Sequence, residues 1–206
     1  EDVGELCSRC PGDDAAKKGL VMSADTDTGI LEFEGAEKSR FTGFEKLDKA
    51  SPSFVELIYE IIDHIHLFSG FTQADVASLA QHMECFHAPA GREIIREGEL
   101  GDFMLLLLDG SIEINKIDKT GLPQRISLAG PGKTLGEMSL IDGEPRFASC
   151  VTLEPTTFAV LDRAALGQIL AIEPHLGIKI LMQMLVLLNQ RLRDAGKRLV
   201  QALEID

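Results

Sequence analysis

The stretch Leu135-Gly136-Glu137-Met138-Ser139-Leu140-Ile141-Asp142-Gly143-Glu144-Pro145-Arg146-Phe147-Ala148-Ser149 breaks the pattern of the sequence on either side of it. Its neighbours read as short strands; this segment does not. Gly136 permits a tight or positive-φ turn. Glu137 to Ile141 is long enough for about one helical turn, whose first amides have no intrahelical acceptor and attract an anion. Arg146 stands nine residues after Glu137, follows Pro145 and opens a strand. Its guanidinium there supplies a charge-assisted, bidentate clamp. One acid and one base around a row of amides suit a ligand that carries a phosphate next to hydroxyls. The amides and Arg146 take the phosphate, and Glu137 takes a sugar hydroxyl.

Outward from this stretch, residues 85–161 are short apolar runs separated by turn dipeptides such as Ala90-Gly91, Glu97-Gly98, Asp109-Gly110, Thr120-Gly121 and Asp142-Gly143. That spacing predicts a sandwich or barrel. Residues 103–108 are continuously apolar and are expected to be buried on both faces. Residues 111–117 alternate through Ile112, Ile114 and Ile117 with one slip, as an edge or half-exposed strand does. Helical spacing flanks the strands. Ser51-Pro52 is a helix start, followed by Phe54, Ile58, Ile61, Ile62 and Ile65. Thr72 with Asp75 three residues on forms a capping box ahead of Val76, Leu79 and Met83. Asp162 caps a short helix, and Glu173-Pro174 opens a long one over 174–203. The fold class is α+β: a barrel flanked by N-terminal helices and a long C-terminal helix.

With these residues in place the chain resembles the cyclic nucleotide-binding domain. That domain is shared by the bacterial catabolite activator protein, the regulatory subunits of cAMP-dependent protein kinase and cyclic-nucleotide-gated channels. Gly136, Glu137, Met138, Ser139, Leu140, Arg146 and Ala148 match the family's phosphate-binding cassette at its spacing, and Gly98 and Gly110 match two of its turn glycines. The resemblance covers about residues 53–203. It implies a double-stranded β-helix, or jelly-roll-like, barrel. It also implies that Glu137 accepts from the ribose 2′-hydroxyl and that Arg146 pairs with an exocyclic oxygen of the cyclic phosphate. Gly136 and the amides near Met138, Ser139 and Ala148 complete the cradle. Phe147 departs from the family, where many relatives carry Ala, Ser or Thr. A hydroxyl at this position can touch the phosphate or the guanine amino group, and Phe147 has none, so cAMP is expected ahead of cGMP. Whether Phe147 packs on the ligand or on the core stays open at this stage.

In the long C-terminal helix, Ile178, Leu181, Leu185, Leu188, Leu192, Ala195, Leu199 and Ala202 step by threes and fours, as an a/d seam does. In the resembling family this helix is both dimer interface and lid over the base, which implies a homodimer. Ile180, Met182, Met184 and Leu187 add a second apolar face, so the helix can pack on its own body and on a partner at once. Asn189 and Arg191 are candidates for a base contact.

Composition sets the outer limits. There are 20 Lys+Arg against 33 Asp+Glu, a net charge of −13. Such a balance argues against nucleic acid and against an anionic membrane surface. The densest apolar run, residues 180–188, is too short and too interrupted to span a bilayer. Apolar residues make up 45% of the chain, enough for a core. Residues 1–50 are polar and Gly-rich and are expected to be a flexible or loosely docked arm, with 51–206 as the binding domain. Cys7 and Cys10 form a lone CxxC, short of the four ligands a closed metal site needs. Cys85 and Cys150 sit inside β-like runs, so no metal is expected. No basic and apolar leader is legible, so a cytoplasmic location is expected. No room for a DNA-binding domain is expected after residue 206.

No nucleophile–base–orienter set is present, and no catalytic residue is expected. The function expected is a non-enzymatic, allosteric cAMP sensor in signal transduction that acts on an effector protein. The alternatives are a redox sensor (iron–sulfur or haem) on the same barrel, or a ligand-free structural dimerisation module.

Overall fold

The computed structural model describes residues 41–48, 56, 58 and 70–203. Among the described residues, nine strands form two antiparallel sheets. The first runs β1 (Glu45–Leu47), β2 (Glu84–Ala88), β9 (Thr156–Asp162), β4 (Phe103–Asp109), β7 (Thr134–Leu135). The second runs β3 (Glu93–Ile95), β8 (Ser149–Thr152), β5 (Ile112–Ile117), β6 (Pro123–Ala129). The ladders stay separate among the described residues, so what the structure carries of the expected barrel is its antiparallel sheets with a long C-terminal helix.

Two cores account for the continuously apolar run. Phe103, Leu105 and Leu107 of β4 point between the sheets, where they meet Phe86, Ile94, Ile95, Ile112 and Phe158. Met104, Leu106 and Leu108 point the other way, under the helices, with Val76, Leu79, Leu166, Ile169 and Ile180. Residues 103–108 are therefore buried on both faces, as their lack of alternation predicts. Each such side chain contributes about 1.5–3 kcal/mol by leaving water. The slip in the next run is a register shift between Ile114 and Asn115. That strand, β5, is half-exposed but central, between β8 and β6; β6 takes the edge.

The helices whose bounds lie within the described residues are α1 (Gln73–His82), α2 (Glu137–Asp142), α3 (Arg163–Ile172) and α4 (Pro174–Leu203). Thr72 caps α1 in a full capping box with Asp75. Lys179 of α4 also donates to Asp75, at 2.6 Å. Chiefly through Lys179, and then the Thr72 amide, the Asp75 carboxyl is held down at about 2. Asp162 caps α3 through the Ala165 amide at 2.7 Å. Leu176, Gly177, Ile180 and Met184 form the buried face of α4. The helix expected from Ser51 lies outside the described residues except for Glu56 and Ile58, both helical, with Ile58 in the helix-side core. Strand β1 falls within the stretch expected as an arm. Its Glu45, Lys46 and Leu47 pair with His87, Phe86 and Cys85 in the first sheet, and Phe41 and Phe44 ahead of it pack against the core between the sheets.

Candidate ligand-binding site

α2 begins on Gly136, whose φ is +85°. A Cβ here would be strained, and it would meet Arg146 Nη1 at 2.6 Å and Phe103 O at 3.0 Å. Among the described residues no side chain caps the first turn, so its leading amides have there neither an intrahelical nor a capping acceptor. The far end is closed. The Gly143 amide donates to Ser139 O at 3.0 Å, and Arg163 Nη2 donates to the same oxygen at 2.7 Å.

Arg146 is drawn inward and is only 3% exposed. Its amide donates to Glu99 O and its carbonyl accepts from the Gly98 amide, which pins its backbone to the Gly98 turn. Its Nη1 donates to Phe103 O at 2.7 Å and to Gly136 O at 3.0 Å. Its Cζ lies 4.2 Å from the centre of the Phe103 ring. Gly101 closes the channel; a Cβ there would collide with Nε, Cζ and Nη2 of Arg146. The arginine is thus threaded between two glycines, with one carbonyl it holds belonging to the residue before Glu137.

Glu137 is 1% exposed. Both carboxylate oxygens accept from Arg191 of α4, Oε2 from Nη1 at 3.0 Å and Oε1 from Nη2 at 3.1 Å. Arg191 Nη2 also donates to Thr134 O at 2.6 Å. A carboxylate has about four lone-pair sites, so a hydroxyl can still be accepted beside Arg191.

Of the other expected residues, Ser139 and Ala148 are buried and Met138 is half-exposed. Phe147 joins neither core; it is 57% exposed. Lys116 Nζ lies 4.4 Å from the centre of its ring and donates to its carbonyl at 2.7 Å. Asn189 is not brought to the cassette. It is exposed, and its Nδ2 donates to Leu185 O of its own helix at 2.9 Å. Of the two candidates for a base contact, Arg191 is brought to the cassette and Asn189 is held by its own helix. Gly101, Phe103, Thr134, Lys116 and Arg163 were not singled out from sequence. A signal existed for Gly101, a second glycine three residues after Gly98.

The two described cysteines lie in different cores, Cys85 under the helices and Cys150 between the sheets. Burial pushes each thiol up to about 12, so both are protonated at neutral pH. Cys7 and Cys10 lie outside the described residues. Among the described residues no group of three His, Cys, Asp or Glu is placed to hold a metal ion. No helix among them is long and apolar enough to cross a membrane.

The family model for the cyclic nucleotide-binding domain matches residues 85–173. A crystal structure of a cyclic nucleotide-binding domain from Methylobacillus flagellatus is 40% identical, covers 79% of this chain and 90% of its own, and superposes with a TM-score of 0.71. A CRP-like cAMP-activated global transcriptional regulator of Mycobacterium tuberculosis is 28% identical over 71% of this chain and 64% of the relative. A cAMP-dependent protein kinase regulatory subunit of Yarrowia lipolytica is 28% identical over 59% of this chain and 31% of the relative. The chain thus spans less than two thirds of the length of these two curated relatives.

Proposed function

The chain belongs to the cyclic nucleotide-binding domain family, and on that footing we propose that it is a non-enzymatic sensor of a cyclic nucleotide, cAMP ahead of cGMP. One observation carries the reading. Glu137 and Arg146, nine residues apart in sequence, converge on Gly136, with Arg146 bonded to its carbonyl and Glu137 the next residue along. Both are buried polar groups that a packed core alone has no use for. They flank the open first-turn amides, as a cyclic phosphate next to a ribose hydroxyl requires. Phe147, exposed beside the cassette and without a hydroxyl, favours cAMP.

The output runs through α4. Arg191 ties this helix directly to the carboxylate that takes the ribose, so ligand and helix pose act on one another. The seam residues Ile178, Leu185, Leu192 and Leu199 stay exposed at 57%, 52%, 71% and 62%, while Ile180 and Met184 of the same helix are buried on the body. An apolar stripe left uncovered in this way suits a second copy of the chain, in a parallel homodimer. The effector is a separate protein.

Isothermal titration with cAMP and cGMP tests the reading. Truncating a group that bonds a charge costs roughly 1.5–3 kcal/mol, about 10- to 150-fold in affinity. Arg146→Ala and Glu137→Ala should each weaken binding by that factor. Wild-type protein that binds neither nucleotide, or variants with unchanged affinity, would refute the assignment.

A further inference from the structure

We propose that Phe41 is a positioning residue for Arg146, acting through the ring of Phe103. Phe41 lies ahead of the span matched by the family model, residues 85–173, in the segment that leads into β1. A bond from the Phe44 amide to Phe41 O, at 3.0 Å, turns the chain, and the pairing of β1 with β2 then holds it. The Phe41 ring enters the core between the sheets and is 9% exposed. It stacks on Phe86 with centroids 4.8 Å apart and meets Phe103 edge-on at 5.1 Å.

Phe103 is 2% exposed and touches Arg146 twice. Its ring lies 4.2 Å from the guanidinium carbon, and its carbonyl accepts from Nη1 at 2.7 Å. Phe41 therefore bears on the ring that carries the guanidinium. Cores are close-packed, so removing a phenyl group leaves a void into which neighbours shift. Phe103 is such a neighbour, and a cation held over a ring face moves when the ring does. The other wall of the channel, Gly101, offers no side chain to compensate. The inserted segment thus sets the aim of the anion clamp. This consequence for ligand affinity rests on the cyclic nucleotide reading; the effect on the guanidinium does not.

Leu47 of β1 provides the comparison, because it packs against the helix-side core and not the ring cluster. In ligand-free protein the Arg146 Nε–H resonance, identified by its loss in Arg146→Lys, should be displaced by the Phe103 ring current. Phe41→Ala should shift or broaden it, Phe41→Leu should shift it less, and Leu47→Ala should leave it in place. In calorimetry at a temperature where every variant is folded, Phe41→Ala should weaken cAMP binding about tenfold and Phe41→Leu about threefold, with Leu47→Ala unchanged. An unmoved resonance in Phe41→Ala overturns the proposal, as does an equal effect of Leu47→Ala. If wild-type protein binds no cyclic nucleotide, the functional reading fails while the resonance still decides the role of Phe41.

Discussion

Replacing Arg191 with alanine removes three hydrogen bonds, two to Glu137 at 3.0 and 3.1 Å and one to Thr134 O at 2.6 Å. The Glu137 side chain is 1% exposed and that of Arg191 is 41% exposed. Breaking a wholly buried pair costs about 3–5 kcal/mol, because a charge is left without compensation. Here truncating a half-exposed side chain admits water to the carboxylate, so we expect a smaller loss of about 2–3 kcal/mol. The chain has no Trp, so urea unfolding is best followed by circular dichroism. With a slope of about 2–3 kcal/mol/M, the midpoint should fall by about 1 M. Glu137→Gln completes a double-mutant cycle. Groups in direct contact couple by about 0.5–3 kcal/mol, and this pair belongs in the upper half of that range. Additivity within about 0.5 kcal/mol would show that the pair does not form in solution and would refute the reasoning.

Asp75, held at about 2 against an ordinary 3.8 by Lys179 and the Thr72 cap, contributes stability above its unfolded pKa. That contribution is lost as pH falls through the folded value. Asp75→Asn should therefore be less stable than wild type by about 1–2 kcal/mol at pH 6, and the gap should be largely gone by pH 2; a gap independent of pH would count against the ion pair. Leu192→Glu places a charge at the most exposed of the large apolar side chains of the α4 seam. Sedimentation velocity should find wild type dimeric and this variant monomeric, and a monomeric wild type at tens of micromolar would sink the seam reading.

Much of the fold was legible because local chemistry decides it. Thr72 and Asp75, Asp162, and Glu173-Pro174 each act within one helical turn, and each marks an observed helix end. The apolar run of β4 and the slip in β5 report burial and register directly. The convergence of Glu137 and Arg146 on Gly136 was legible because both belong to one short run of sequence. What could not be read is contact between distant segments. Nothing in the chain between them says that Arg191, 54 residues after Glu137, closes on it, or that Gly101 and Phe103 form the channel around Arg146. Asn189 and Arg191 part company for a simpler reason. Residues two apart on a helix point about 200° from one another, so only one of Asn189 and Arg191 can face the cassette. The pairing of β1 was not legible because three residues are too short to show a period, and Phe41 acts through the rings it meets across the core.

The net charge of −13 sets a further constraint on the proposed ligand, which is itself an anion. The field of the whole chain opposes its approach, but at physiological ionic strength that field fades within about 8 Å. Selection must come from contact, where Arg146 is buried and charges interact more strongly than in water. A bare Glu137 in the same place would repel the phosphate. Arg191 removes that liability by taking both carboxylate oxygens, and it leaves acceptor capacity for a ribose hydroxyl. On this reading the pose of α4 that inserts Arg191 is the pose that binds. Linkage is reciprocal, so ligand must hold α4 in place by the same factor by which α4 tightens the ligand. Arg191→Ala should then lower affinity as well as stability. A gain in affinity would mean that Arg191 competes with the nucleotide and that binding releases the helix.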